Sequence, residues 1–413
     1  MTDRVAPRLI DADAQIIHHE GTRVLFVANR NRMSDQGVCL PLSMVAVLER
    51  LDGRRSLLDL QAEVLEATGH RLEIKLIEQI LHMLDGVFVL DTDNYRDRKR
   101  EIKQAFLDSP VREPICAGGV YSEDPDDLTE ELNAIYTRKG GAGSLPKVVK
   151  PTGSVRCVLA PHIDFRRGRQ SFGFSFREIV EHSDATLFVI IGTSHYSLDR
   201  FILTRKDFRT PFGIAKTDQA YVDSIVQHFG ESCFRDEMAH QPEHSIELEV
   251  VLLQHALAGR RDFRVVPLLV GSFGDRVDEQ ANPSDDPEIS RMIESLREAE
   301  KESAERVCYI VSGDLAHIGP KFGDHWKIDD SKSEWCRRAD DELLKTLESG
   351  NETDLFNFMA KEKDERRVCG FPPLYIALSV ANPCRGRRLC YDQFVDPKGT
   401  EIVSFAAMAF DSE

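Results

Sequence analysis

The chain has 413 residues, 41% hydrophobic and 30% charged, an ordinary globular balance with length for two or three domains. Its 53 Lys and Arg against 70 Asp and Glu leave a formal net charge of −17, which argues against a nucleic-acid binder, because phosphate contacts need a basic footprint. No apolar run reaches the roughly 18 residues of a membrane span, the Met1-Thr2-Asp3-Arg4 start lacks the form of a secretory signal, and nine scattered cysteines without a CxxC suit reduced thiols in the cytoplasm.

Residues 1–105 read as a small α+β unit of winged-helix-like outline. Arg23-Val-Leu-Phe-Val-Ala28 predicts a strand. Leu42, Val45, Leu48 and Leu51 recur with a helical period, and Asp52-Gly53 closes that helix. Ser56 opens a second helix through Leu57-Leu58-Asp59-Leu60, since a hydroxyl residue at the start satisfies free amides. Ile74 to Leu84 carries a third apolar stripe, and Asp85-Gly86 turns it into Val87-Phe-Val-Leu90, read as a strand. Asp91 to Lys103 is a charged, helical connector.

Residues 106–413 read as an α/β domain with a mainly parallel sheet flanked by helices. The acidic run Ser122 to Glu131 predicts a helix start, where negative charge is favoured. Lys139 to Ser144 is a glycine-rich loop. Short apolar runs then alternate with helical segments at Val155–Ala160, Leu187–Gly192, Arg264–Val270 and Val307–Ser312. Continuous Val/Ile/Leu runs are strands buried on both faces. Pro267 moves the third run toward a sheet edge or bulge. Asn282 to Glu305 predicts an exposed loop and helix, and Cys384 to Cys390 an exposed basic turn.

Three of these strands end alike. Ala160 leads into Pro161-His162-Ile163-Asp164, Gly192 into Thr193-Ser194-His195, and Ser312 into Gly313-Asp314-Leu315-Ala316-His317. Parallel strands bring their carboxyl ends to one edge, where open α/β sheets bind ligands. A single histidine at a strand end is ordinarily a hydrogen-bonded turn residue. The threefold repetition predicts that His162, His195, Asp314 and His317 converge. Metal ligation is the leading reason for imidazoles to gather, and acid–base catalysis the alternative.

Two more segments join them. Glu243 and His244 stand at the entrance of a helix beginning at Ser245. There they are either an acid complementing the helix dipole or a carboxylate and a proton-transfer histidine facing the metal. Cys369 precedes Gly370-Phe371-Pro372-Pro373, the start of another helix. The thiolate, the metal-binding form, is favoured there; the plain alternative is a buried structural thiol. There is no P-loop, GxGxxG, HExxH or GxSxG.

In this order, the five segments Ala160–Asp164, Gly192–His195, Glu243–Glu247, Ser312–His317 and Cys369-Gly370 resemble the Memo family, also called AmmeMemoRadiSam system protein B. Arg112–Tyr121 and Asp124–Leu132 resemble that family's entry segment, and Val403–Ala407 its terminal strand. The resemblance covers about residues 111–413. It implies a fold similar to class III extradiol dioxygenases, which use non-haem iron. It also implies that His162, His195 and Cys369 are metal ligands, that Asp314 and His317 line the pocket, and that the metal is iron or copper. AMMECR-type and radical SAM partners are implied as well.

The family's usual Pro-His-Ala-Gly-Tyr is here Pro161-His-Ile-Asp-Phe165, followed by Arg166, Arg167 and Arg169. Asp164 adds a carboxylate near the site, either a ligand or, the favoured reading, a salt-bridge partner of those arginines, which are either a solvated face or a clamp for an anionic substrate. Residues 20–92 resemble PqqD-like modules, which capture peptides by adding a strand to a sheet edge; a docking or dimerisation role is the alternative.

The expectation is a metal-dependent, dioxygenase-like redox enzyme. His162, His195 and Cys369 hold the metal, His317 or His244 moves protons, and Asp314 orients a ligand. The rival is a non-catalytic binding or scaffold protein that uses the inherited pocket for a peptide or partner. Zinc hydrolysis is a third reading that a three-ligand count permits.

Overall fold

The computed structural model describes residues 4–412 except 20, 31, 32, 35, 148 and 149; the side chain of Arg169, one of the arginines of the basic run, also lies outside the described set. The chain divides into two compact units, Met1–Asp108 and Ser109–Glu413.

The first unit begins with an antiparallel sheet of β1 (Ala12–His19), β2 (Thr22–Asn29) and β3 (Gly37–Pro41), in the order β1-β2-β3. Four helices follow: α1 (Val45–Leu48), α2 (Leu57–Thr68), α3 (Ile74–Gly86) and α4 (Asp93–Asp108). Alternation along β2 turns Leu25 and Val27 inward, onto Leu60 and Val64 of α2 and Ile77, Ile80 and Leu84 of α3. Ser56 caps α2 by accepting from the Asp59 amide, and Asp59 returns a bond to the Ser56 amide, so two free donors are satisfied at once. The run 87–90 is not a strand. Phe88 has φ 56, which turns the chain out of α3, and Leu90 makes only an isolated bridge with Leu9. Val87, Val89 and Leu90 are buried and close the core instead.

The second unit contains, in chain order, β4 (Val111–Arg112), α5 (Pro125–Thr137), β5 (Val155–Ala160), α6 (Phe165–His182), β6 (Leu187–Thr193), β7 (Phe201–Leu203), β8 (Asp207–Thr210) and β9 (Gly213–Ala215). Then come α7 (Gln219–Phe229), α8 (Ser245–Leu257), β10 (Arg264–Val270), α9 (Gly274–Glu279), α10 (Pro287–Glu302), β11 (Val307–Ser312) and β12 (His317–Ile318). Last are α11 (Asp330–Leu347), α12 (Glu352–Glu362), α13 (Phe371–Ala381), β13 (Cys384–Val395) and β14 (Ile402–Ser412).

An eight-stranded sheet runs β12-β14-β5-β11-β6-β10-β7, with β13 also paired to β14. The four interior strands β5, β11, β6 and β10 are parallel, while β14 and β7 flank them antiparallel. Every residue of β6 is buried. Val189 and Ile191 pack into one apolar core and Phe188 and Ile190 into another, as a strand covered on both faces requires. A smaller sheet joins β4, β8 and β9.

Three further sequence expectations, all in the second unit, need correction. The strand holding Pro267 is not an edge strand; β7 pairs with it only at 268–270, so Pro267 lies beyond that ladder and its missing donor goes unused. The helix within 282–305 is not simply exposed, because Ile289, Met292, Ile293 and Leu296 are buried along one face. Cys384 to Cys390 is not a turn but the start of β13, laid antiparallel on β14.

Candidate metal centre

Register decides where the chemistry gathers. Ser312 of β11 pairs with Ala160 of β5 on one side and Gly192 of β6 on the other, so the three strands end level. The segments that follow leave the sheet together and deliver His162, His195 and Asp314 to one edge. Glu243 and His244 arrive from the entrance of α8, and Cys369 from the turn before α13. Gly192 permits the approach of α8: a Cβ there would lie 2.6 Å from the Ser245 Oγ.

The ligating atoms of His162, His195 and His244 all lie within 4.8 Å of one another, close enough for one metal ion. The His195 and His244 rings stack at 5.1 Å and 22°, and His162 stands edge-on to both, at 5.1 and 5.2 Å. Cys369 is outside that three-way group, yet its Sγ is 3.5 Å from the His162 Nε2. His162 is 3% exposed, whereas His195 and His244 are 32% and 33% exposed, so the cluster has one buried wall and one open side.

Glu243 ties the open side down. Its carboxylate accepts from the His195 amide (2.8 Å), the His244 amide (3.0 Å) and the Ser245 amide (3.1 Å), and meets the His195 Nδ1 at 3.0 Å. Burial opposes its charge, but the hydrogen bond and charge of His195 outweigh burial and hold it down at about 2. On His195 burial lowers the pKa, and Glu243 more than offsets it, so the imidazole is shifted upward. His162 is driven the other way, well below the usual histidine range, by burial and by the neighbouring imidazoles. His244 is lowered too, chiefly by burial.

Asp314 faces the buried wall. Its Oδ1 accepts from the amides of His162 (3.0 Å) and Ile163 (3.2 Å), and its Oδ2 is 3.9 Å from the His162 Nε2. Burial pushes its carboxyl up to about 7 against those two amide bonds. The Asp314 amide donates to the Cys369 Sγ at 3.3 Å. In the metal-free protein burial, reinforced by Asp314, raises the Cys369 thiol well above its usual range, although the residue is partly exposed.

His317 sits at the margin. Its Nδ1 faces the carbonyls of Leu315 and Arg367, both at 3.2 Å, and burial lowers its pKa to about 4. Asp164 caps α6 and pairs with Arg166 at 2.5 Å, as the sequence suggests. Arg167 instead reaches Glu401 at 3.2 Å and lies over the Phe394 ring.

The residue-type pattern missed a support behind the site. Arg112 is fully buried and paired with Glu247, also fully buried. Arg112 donates to the carbonyls of His240 (3.1 Å) and Glu243 (2.6 Å), and Glu247 accepts from the amides of Ile115 and Cys116 (each 2.9 Å) and the Tyr121 hydroxyl. The pair therefore fixes the loop that presents Glu243 and His244. Its signal in the sequence was an arginine and a tyrosine in the entry segment, with no indication of their distant partner.

The sequence profile of the family described as Memo-like protein matches residues 112–409, the span that carries every residue of this cluster. The chain belongs to the Memo family. A MEMO1 family protein of Aquifex aeolicus is 27% identical over 371 residues, 89% of this chain and 91% of its own length. MEMO1 family proteins of Methanobrevibacter smithii and Archaeoglobus fulgidus are 23% and 25% identical, each over 73% of this chain and 99% of their own length. The Aquifex match is longer than the second unit and so extends into the first. Memo membership thus rests on the α/β unit, and the three imidazoles within it can hold a metal ion. Among the described residues no helix is long and apolar enough to cross a membrane.

Proposed function

We propose that the α/β unit is a metal-dependent oxidoreductase of dioxygenase-like type, in which His162, His195 and Cys369 hold an iron or copper ion. The observation that carries this reading is the asymmetry of the cluster: a buried imidazole behind with a partly exposed thiol beside it, and two partly exposed imidazoles in front. An ion held there would have room for a further ligand toward solvent, as at catalytic rather than closed structural sites. The bound metal would supply redox chemistry. The protein's own groups supply the rest. Glu243 orients His195 through Nδ1. His244, stacked on His195, is placed to carry a proton at the open side. Asp314, held at the buried side by the His162 and Ile163 amides, is placed to orient a ligand. His317, beyond the first group, is assigned to proton transfer at the margin.

The reading extends to context. The nine cysteines are all free, in keeping with a reducing cytoplasm. AMMECR-type and radical SAM proteins are proposed as partners, and the first unit as a peptide-capturing module that uses an edge strand of its sheet.

The test is metal analysis of protein purified without oxygen. One equivalent of iron or copper, lost in His162→Ala, supports the redox reading. One equivalent of zinc favours hydrolysis. Metal-free protein that retains a partner in co-purification favours a scaffold.

A further inference from the structure

The turn that carries Cys369 is built against backbone preference. It runs from Lys363, just past α12, to Gly370 at the start of α13. Lys363, Asp364 and Arg367 have φ of 55, 44 and 53. That left-handed region suits glycine, and none of the three is one. Such a conformation persists only where surrounding contacts hold it.

Two consecutive arginines supply those contacts. Arg366 is fully buried. Its Nε and Nη2 fork onto the Glu362 carboxylate at the end of α12, at 2.9 to 3.1 Å. Its Nη1 donates to Asp340, fully buried on α11. Arg367 has a separate anchor. Its Nη2 donates to the Asp324 Oδ1 at 2.8 Å, and the Asp324 Oδ2 accepts from the Gly319 amide at 2.7 Å.

The same two residues grip His317. The Arg366 carbonyl accepts from the His317 amide at 2.7 Å, and the Arg367 carbonyl lies 3.2 Å from the His317 Nδ1. The Arg367 Nη1 donates in return to the His317 carbonyl at 3.1 Å. Cys369 follows two residues later, with its Sγ on the Asp314 amide. One anchored turn therefore serves both His317 and Cys369.

We propose that Arg366 and Arg367 are positioning residues: their side chains anchor the turn 363–370 to α11, α12 and Asp324, and so place His317 and Cys369 as one unit. The use of that unit rests on the metal reading, but the anchoring is a property of the metal-free protein. A lysine at 367 keeps the charge opposite Asp324 and lacks the planar fork that spans Asp324 and the His317 carbonyl.

Two reporters read the anchoring without metal. One is alkylation of Cys369 by iodoacetamide, followed by peptide mass spectrometry. The other is deuterium exchange of the peptide holding the His317 amide. Arg367→Ala replaces a partly exposed side chain and is expected to fold. It should speed both reporters roughly tenfold, as loss of a charged hydrogen bond from one locally opening unit implies. Arg366→Met should speed them at least as much, and Arg367→Lys should fall between Arg367→Ala and wild type. Exchange in β6 and alkylation of Cys390 should keep wild-type rates. Arg338→Ala, which removes an exposed arginine of α11 paired only with Glu334, should move neither reporter. In cobalt-loaded protein the thiolate absorption should weaken in Arg367→Ala and not in Arg338→Ala.

Unmoved reporters in folded Arg367→Ala overturn the inference, whether or not Arg366→Met folds. So does a rise shared with β6 and Cys390, which marks general destabilisation, and so does one reporter moving without the other. A wild-type thiolate band in cobalt-loaded Arg367→Ala overturns it as well. If both reporters respond but the wild type binds no cobalt, the inference holds and the metal reading fails.

Discussion

The backbones of Gly313 and Gly370 touch: a Cβ on Gly313 would lie 2.5 Å from the Gly370 Cα. The Gly370 amide donates to the Asp314 carbonyl at 2.9 Å, and this contact seats Cys369 beside Asp314. Gly313→Ala is expected to push the turn before α13 away from β11. The cost should be about 1–3 kcal/mol, typical of overpacking, with a loss of metal affinity larger than a surface substitution would give. Thermal unfolding and metal titration check both parts; wild-type affinity in a folded Gly313→Ala protein would contradict the seating role.

The Arg112–Glu247 pair should behave as a buried unit. Arg112→Met or Glu247→Gln leaves the other member buried with its charge uncompensated, at a cost of about 3–5 kcal/mol. Replacing both with apolar residues should cost less than the sum of the single changes. Unfolding of the two single variants and the double variant, compared as a cycle, tests this; simple additivity would show that the pair does not act together.

The third metal position can be assigned directly. Cys369→Ser is expected to reduce metal affinity more than His244→Ala, and cobalt-loaded wild type should show a thiolate absorption that Cys369→Ser lacks. The reverse ranking, with no thiolate band, would transfer the position to His244, which the three-imidazole geometry also permits.

His240 gives a pH dependence away from the ligands. Its Nε2 faces the Ile202 carbonyl at 3.0 Å, and burial lowers its pKa to about 4, below the usual 6.5. The unfolded chain therefore binds a proton between those values that the folded protein does not. Stability from this group is complete above pH 6.5 and is lost as pH falls toward 4, by no more than about 3 kcal/mol. His240→Gln should flatten the stability profile in that window; an unchanged slope would show that other groups carry it.

The parallel core was legible because Leu187–Thr193 and its neighbours are too apolar for anything but strands covered on both faces. The converging site was legible because three of these four strands are followed within a few residues by histidine or aspartate. The first unit was harder. β1 is mostly exposed, so its alternation carries no apolar signal, and it was not read as a strand. β13 was hidden by its arginines, which look like a solvated turn until Arg387 is seen paired with Glu178 and Asp411, and Arg388 with Asp341. Arg112 and Glu247 are separated by more than a hundred residues, and no local pattern reports such a partnership.

The placement of β14 has a consequence for biosynthesis. This strand lies against β5, whose end carries His162, and it also holds β12 and β13. Yet it is the last of the sheet's strands to leave the ribosome. Until residues 402–412 emerge, β5 lacks one of its two neighbours and one side of the sheet stays open. The centre should therefore form only once β14 has docked, and chains truncated before residue 402 should not take up the metal ion of the proposed reading.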